Sequence, residues 1–139
     1  MAIQFFNEDI DFKLLSPQKS TAWITKAVEI FGFDLEEINY IFCSDEHLLN
    51  INKEYLNHDY YTDIITFDNS PPDSPIIFSD IFISIDRVAD NAKDQNINFE
   101  DELDRVMIHG LLHLLGLKDK TEEEEKKMRS TEDEMLALR

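Results

Sequence analysis

A single cysteine, Cys43, rules out an intrachain disulfide in this 139-residue chain. That thiol usage suits a reducing compartment, so a cytoplasmic location is expected. No stretch reaches the roughly 18 apolar residues that a membrane span needs. The opening MAIQFFNEDIDF has no basic region followed by an apolar run, so neither a signal peptide nor a membrane association is expected. Repeats, low-complexity tracts and linkers are also missing, which leaves one domain over residues 1–139. Positive charge is the scarcest commodity: 13 Lys and Arg face 30 Asp and Glu, a net charge of −17. Such a field repels nucleic acid and anionic membranes at long range. A nucleic-acid function would therefore need a local basic patch or a bound metal.

What is present is a globular balance, 42% hydrophobic and 31% charged, in a chain long enough to close a core without cross-links. AIQFF reads as a short strand. Ser16-Pro17 reads as a helix start with proline at the first helical position. The following TAWITKAVEIF puts Trp23, Ala27 and Ile30 on one face with Val28 and Phe31 beside it, and Gly32 is its stop. INYIFC (38–43) is rich in β-branched and aromatic residues and reads as a strand. Ser44 caps a helix over DEHLLNINKEYL, where Leu48, Ile51 and Tyr55 share a face. DIITF (63–67) and IIFSDIFIS (76–84) read as adjacent strands joined by the loop DNSPPDSP, a loose hairpin. Helices follow over DRVADNAKDQN, roughly 99–116 and roughly 122–138, the last opened by a Thr121/Glu124 capping box. This is an α+β domain, a small sheet covered by helices.

The chemistry concentrates in HGLLHLLGLKDK, residues 109–120. Asn98 caps this helix, which from Val106 onward is apolar nearly all round and so reads as buried and central. His109 and His113 lie one turn apart and project the same way. Gly116 ends the helix and turns the chain back, so that Asp119 can return a carboxylate to the same point. Paired histidines at this spacing also occur in leucine-rich helices without a ligand. With the glycine stop and the carboxylate, however, the pattern H-x3-H-x5-D is a metal site of three protein ligands, with a position left for water or substrate. Zinc is the default ion, one per chain, with nickel or another divalent ion as the alternative. Helical zinc proteases carry a glutamate after the first histidine; here that residue is Gly110, which disfavours peptide hydrolysis and leaves the general base unidentified.

These residues resemble a known signature. HGLLHLLGLKD is similar to H-G-x-L-H-L-x-G-Y-D-H of the YbeY family, metal-dependent endoribonucleases of ribosomal RNA maturation. LNINKEYLNHDYYTDIITFD resembles that family's L-N-x-x-Y-R-x-x-D-x-x-T-D-V-L-S-F, with Asn52, Tyr55, Asp59, Thr62, Asp63 and Phe67 in step. SDIFISIDRVADNA resembles its G-D-I-x-I-S strand and the helix after it. The three blocks fall in family order over about residues 35–136. The resemblance implies a small mixed four-stranded sheet packed with helices, the metal lying at the C-terminal end of the central buried helix. It implies His109 and His113 as ligands.

Two departures stand out. Asp119 occupies the position of the family's third histidine, with Lys118 in place of its aspartate. Leu56 replaces an arginine suited to phosphate contact, for which His58 and Lys53 are the nearest substitutes. Lys118, Lys120, Lys126, Lys127 and Arg129 form a local basic group after the metal motif, and His58, Lys118 and Lys120 are the candidate substrate contacts. Asp59, Thr62 and Asp63 read either as a turn into the following strand or as part of the site wall. The expected function is a zinc-dependent, single-strand-specific endoribonuclease of ribosomal RNA processing and small-subunit maturation, with ribosomal RNA or the small subunit as partner. The alternative is an assembly factor whose acidic surface binds basic ribosomal proteins around a structural metal. A weaker third reading is a metal-dependent hydrolase of another substrate.

Overall fold

The computed structural model describes residues 2–139 and orders its elements as β1 (Ile3–Asn7), α1 (Pro17–Ile30), β2 (Asp34–Cys43), α2 (Asp45–Leu56), β3 (Ile64–Asp68), β4 (Ile76–Ser84), α3 (Ile85–Gln95), α4 (Phe99–Leu114) and α5 (Glu122–Leu136). The four strands form one mixed sheet in the order β1-β2-β4-β3. β1 runs parallel to β2 and β2 parallel to β4, while β3 returns antiparallel along β4 with Ile64 opposite Ile83 and Asp68 opposite Ser79. The loose hairpin between the last two strands is therefore present, with its prolines in the connecting turn.

Alternation along the strands decides what lies on each face. Ile38, Tyr40 and Phe42 of β2 and Ile77, Ile81 and Ile83 of β4 join one large core with α1, α3, α4 and α5. Cys43 and Ile65 join Leu48 and Ile51 of α2 in a smaller core, against Phe67 and Phe82. Two polar handles tie the large core together: the Trp23 indole N–H donates to the Met135 carbonyl at 2.7 Å and the Tyr40 hydroxyl to that of Met107 at 3.2 Å. Buried aromatics need such partners for their polar atoms. Among the described residues no helix is long and apolar enough to cross a membrane.

The helix starts follow local chemistry. Ser44, Asn98 and Thr121 each accept a backbone N–H of the first turn, and Thr121 and Glu124 complete the capping box. Ser16 precedes Pro17 as expected but makes no side-chain cap. Two face assignments need correction. In α1 Trp23, Ala27 and Val28 are buried as expected and Ile24 joins them, but Ile30 is exposed, because the core meets the helix on the side of Ile24 and Val28. In α2, Leu48 and Ile51 are core but Tyr55 is 65% exposed, since the smaller core ends before the last turn.

α4 is the buried central helix that its composition dictates. It packs on β3 and β4 and is flanked by α3 and α5. It lies tight against the sheet at Gly110, where a Cβ would meet Ile64 Cδ1 at 2.6 Å, Thr66 Oγ1 at 3.3 Å and Ile81 Cγ2 at 3.4 Å. The position where a zinc protease carries its glutamate is here turned into the sheet and has no room for one.

Candidate metal centre

The end of α4 is built by a turn that only glycine adopts readily. Gly116 has φ +103°, its N–H bonds to the His113 carbonyl at 3.1 Å, and the Leu117 N–H reaches back to the Leu112 carbonyl at 3.0 Å. This is the Schellman pattern of a helix C-terminus. It aims the Leu117 carbonyl at the His113 ring, whose Nδ1 lies 3.1 Å away, and it lets the chain fold back to place Asp119 beside both histidines.

The three donor atoms converge. His109 Nε2 and His113 Nε2 are 3.0 Å apart, and Asp119 Oδ2 lies 3.4 Å from the first and 3.3 Å from the second. A tetrahedral ion with bonds of about 2.0–2.1 Å separates its ligand atoms by about 3.3–3.4 Å. The proton bookkeeping is as telling as the spacing. A carbonyl oxygen can only accept, so His113 Nδ1 donates to Leu117 and its Nε2 is a lone pair. On the other ring, Nδ1 lies 2.6 Å from Glu132 Oε2, and an ionised carboxylate likewise only accepts, so Nδ1–H donates to it. In the neutral state two imidazole lone pairs and a carboxylate oxygen then face one another, an arrangement that repels itself unless a proton or a cation sits between. The residues fit a divalent ion.

Glu132, on α5, is a site residue that sequence reasoning missed. It is 4% exposed and is held from the other side by Arg105 Nη1 at 3.0 Å, while Arg105 Nη2 binds Asp133 at 2.9 Å. Burial alone would raise the Glu132 pKa, but the hydrogen bonds from His109 and Arg105 outweigh it and hold the carboxylate ionised below its usual range. Burial likewise opposes a charge on His109, yet the Glu132 bond and charge, with Asp119 and Asp63 behind it, hold that imidazole above its usual range. A carboxylate on the far nitrogen of a ligating histidine is the standard way to fix tautomer and ring orientation.

His109 opens on a cleft of about 530 Å³ whose walls include Asp63, Asn91, Arg105, Asp119 and Arg129. Asp63 thus belongs to the site wall. It accepts a hydrogen bond from Asn91 at 3.2 Å, and burial raises its pKa against the opposing His109 charge. The expected substrate contacts lie elsewhere. His58 is exposed, 2.9 Å from the Tyr60 hydroxyl, and Lys118 and Lys120 are exposed beside Asp119. None of the three lines the cleft, whose cations are Arg105 and Arg129. Arg129 was visible in the basic group of the sequence; Arg105, Asn91 and Glu132 carried no motif. A larger, mostly apolar cavity of about 670 Å³, between the loop before α1, the start of α4 and the chain end, contains neither histidine.

Comparison with known proteins finds relatives over nearly the whole chain. A family model described as Endoribonuclease YbeY matches residues 3–138. A protein of that name from Cytophaga hutchinsonii is 52% identical over 137 residues, covering 99% of this chain and 95% of its own length. One from Flavobacterium johnsoniae is 49% identical over 133 residues, covering 96% and 94%. Among solved structures, the solution structure of a Thermotoga maritima protein has a TM-score of 0.68 at 28% identity, covering 98% of this chain and 90% of that one.

Proposed function

The chain belongs to the YbeY family of endoribonucleases, and on that premise we propose that it is a zinc-dependent, single-strand-specific endoribonuclease acting on ribosomal RNA of the small subunit in the cytoplasm. His109, His113 and Asp119 hold the ion in this reading. The observation that carries it is the convergence of two imidazole lone pairs and one carboxylate oxygen within 3.0–3.4 Å, each imidazole fixed from behind by an acceptor. Two imidazoles and a carboxylate favour zinc, with nickel or another divalent ion as the alternative.

When bound, the ion supplies a Lewis acid for phosphoryl oxygens. The chain supplies the rest. Glu132 and the Leu117 carbonyl keep both imidazoles in the ligating tautomer. Arg129, half exposed at the cleft wall and only loosely paired with Glu132 at 3.6 Å, is placed to take a phosphate and so to stand in for the arginine that Leu56 replaces. Arg105 is already committed to Glu132 and Asp133. Asp63 and Glu102, both at the cleft wall with pKa values raised by burial, are the carboxyls suited to accept a proton from the attacking hydroxyl. His58, Lys118 and Lys120 lie outside the cleft lining and are proposed only as contacts for RNA beyond it.

The net charge of −17 favours a second reading, an assembly factor that recognises basic ribosomal proteins and uses the metal structurally. Metal content by mass spectrometry on wild type and Asp119→Ala, each stripped and reloaded with zinc, combined with cleavage of single-stranded and duplex RNA, separates the two. One zinc per wild-type chain, weakened in the variant together with cleavage, supports the nuclease. Stoichiometric zinc with no RNA cleavage leaves the assembly factor, and no stoichiometric metal with any divalent ion overturns both.

A further inference from the structure

Among the described residues, four of the eight exposed large hydrophobic side chains fall within one short segment: Tyr55 at 65%, Leu56 at 41%, Tyr60 at 55% and Tyr61 at 48%. The other four, Phe6, Leu15, Ile30 and Ile97, are scattered singly, as surface apolar residues ordinarily are. The segment is held in place. Asn52, buried in α2, donates its amide to the Tyr60 carbonyl at 2.9 Å, and its own backbone carbonyl receives the His58 N–H at 3.1 Å. Asn57 turns the chain in the left-handed region at φ 56°. The His58 ring stacks on Tyr60 with centroids 5.1 Å apart and planes 20° from parallel. The Arg87 guanidinium lies 5.4 Å from the Tyr61 ring centre, and the Tyr61 hydroxyl bonds Glu46. Each ring is fixed by a neighbour on one face and stays about half exposed.

This segment leads directly into the cleft. Two residues beyond Tyr61 stands Asp63, on the same wall as His109 and Asp119. At about 3.8 Å between successive Cα atoms, Tyr61 lies within about 8 Å of Asp63 and Tyr60 within about 11 Å. Its charge is wrong for gripping phosphates: Lys53 is paired with Asp59 at 3.5 Å, and Glu54 and Asp63 are acidic. Base faces carry no such penalty, and aromatic side chains stack them whatever the sequence.

We propose that residues 55–61 form a stacking platform for unpaired bases of RNA, with Tyr60 and Tyr61 as its two main faces and the phosphates directed to solvent. This rests on the endoribonuclease reading and adds to it the means by which a strongly acidic protein takes hold of RNA. It also gives a physical source for single-strand preference, since paired bases offer no free faces.

The test is fluorescence anisotropy of an end-labelled eight-nucleotide oligouridylate or oligoadenylate with the metal-free full chain, for wild type, Tyr60→Ala, Tyr61→Ala and Tyr60→Phe. Circular dichroism and thermal melting of each variant report on the fold. The platform predicts that each alanine variant binds about tenfold more weakly, the scale of one lost base–aromatic stack. It predicts that Tyr60→Phe stays close to wild type and that affinity holds or rises with potassium chloride, which screens the repulsion between the acidic chain and RNA, whereas phosphate-driven binding falls. Wild-type affinity in both folded alanine variants, or a steep loss of affinity with salt, overturns it and leaves the patch to a protein partner. The two readings fail separately. If the zinc-loaded wild type binds through these tyrosines without cleaving, the nuclease falls and the platform stands. If it cleaves and the alanine variants bind and cleave equally well, the platform falls and the nuclease stands.

Discussion

His109 is held by a carboxylate 23 positions further along the chain, Glu132, and much of the site's behaviour follows from that one contact. Replacing Glu132 with glutamine keeps the shape but removes the charge that fixes the ring. Zinc affinity is expected to fall by about 10–100-fold, measured by competition with a chromophoric chelator, while the His109–His113–Asp119 set stays intact. Unchanged affinity would mean that the ring is oriented by packing alone. The raised pKa of His109 sets opposite pH slopes with and without metal. In the metal-free chain the stability this group contributes is present below about pH 6.5, the unfolded value, and is lost as pH rises through the folded one. In the zinc-loaded chain protons compete with the ion, so affinity and metal-linked stability rise over the same range. Thermal midpoints measured between about pH 6 and pH 8 should fall for the first form and rise for the second; parallel slopes would contradict the assignment of His109.

α4 is fitted to the sheet at Gly110 and terminated at Gly116, and the two glycines serve for different reasons. Gly116 supplies a positive φ with open space around its Cα. Gly110 supplies thinness, since a Cβ there meets Ile64, Thr66 and Ile81. Gly110→Ala should be close to neutral, because the nearest atom is the mobile end of Ile64 and a helix interior gains up to about 1 kcal/mol from alanine. Gly110→Leu has no such escape and should cost about 1–3 kcal/mol or more, read in urea unfolding followed by the fluorescence of Trp23, the one tryptophan. A leucine variant as stable as wild type would mean that α4 can lift from β3 and β4 without loss.

On the scale of the whole molecule, the sheet carries two cores of unequal size, and Cys43 sits in the smaller one. It is fully buried, and burial, reinforced by Asp9, Glu8, Asp45 and Asp86, pushes its thiol up to about 12. A disulfide reagent at about pH 8 should therefore label Cys43 only as fast as the chain opens, since the thiolate is the reactive form. Labelling that outruns unfolding would show that α2 detaches on its own.

By itself the sequence determined the elements and the ligand spacing. Helical and strand periodicities, N-cap residues and the glycine stop act over a few residues, so α4, its end and the return of Asp119 were legible in order. Leu48 and Ile51 were legible for the same reason, whereas the outward faces of Tyr55 and Ile30 were not, because where a core ends depends on how far the opposing layer extends. Only the tertiary structure brought Glu132 behind His109, set Asp63 on the cleft wall and left Tyr60 and Tyr61 about half exposed near it. Those contacts join α4 to α5 and to the residues before β3 across long stretches of chain, and no local periodicity encodes the packing of one element on another.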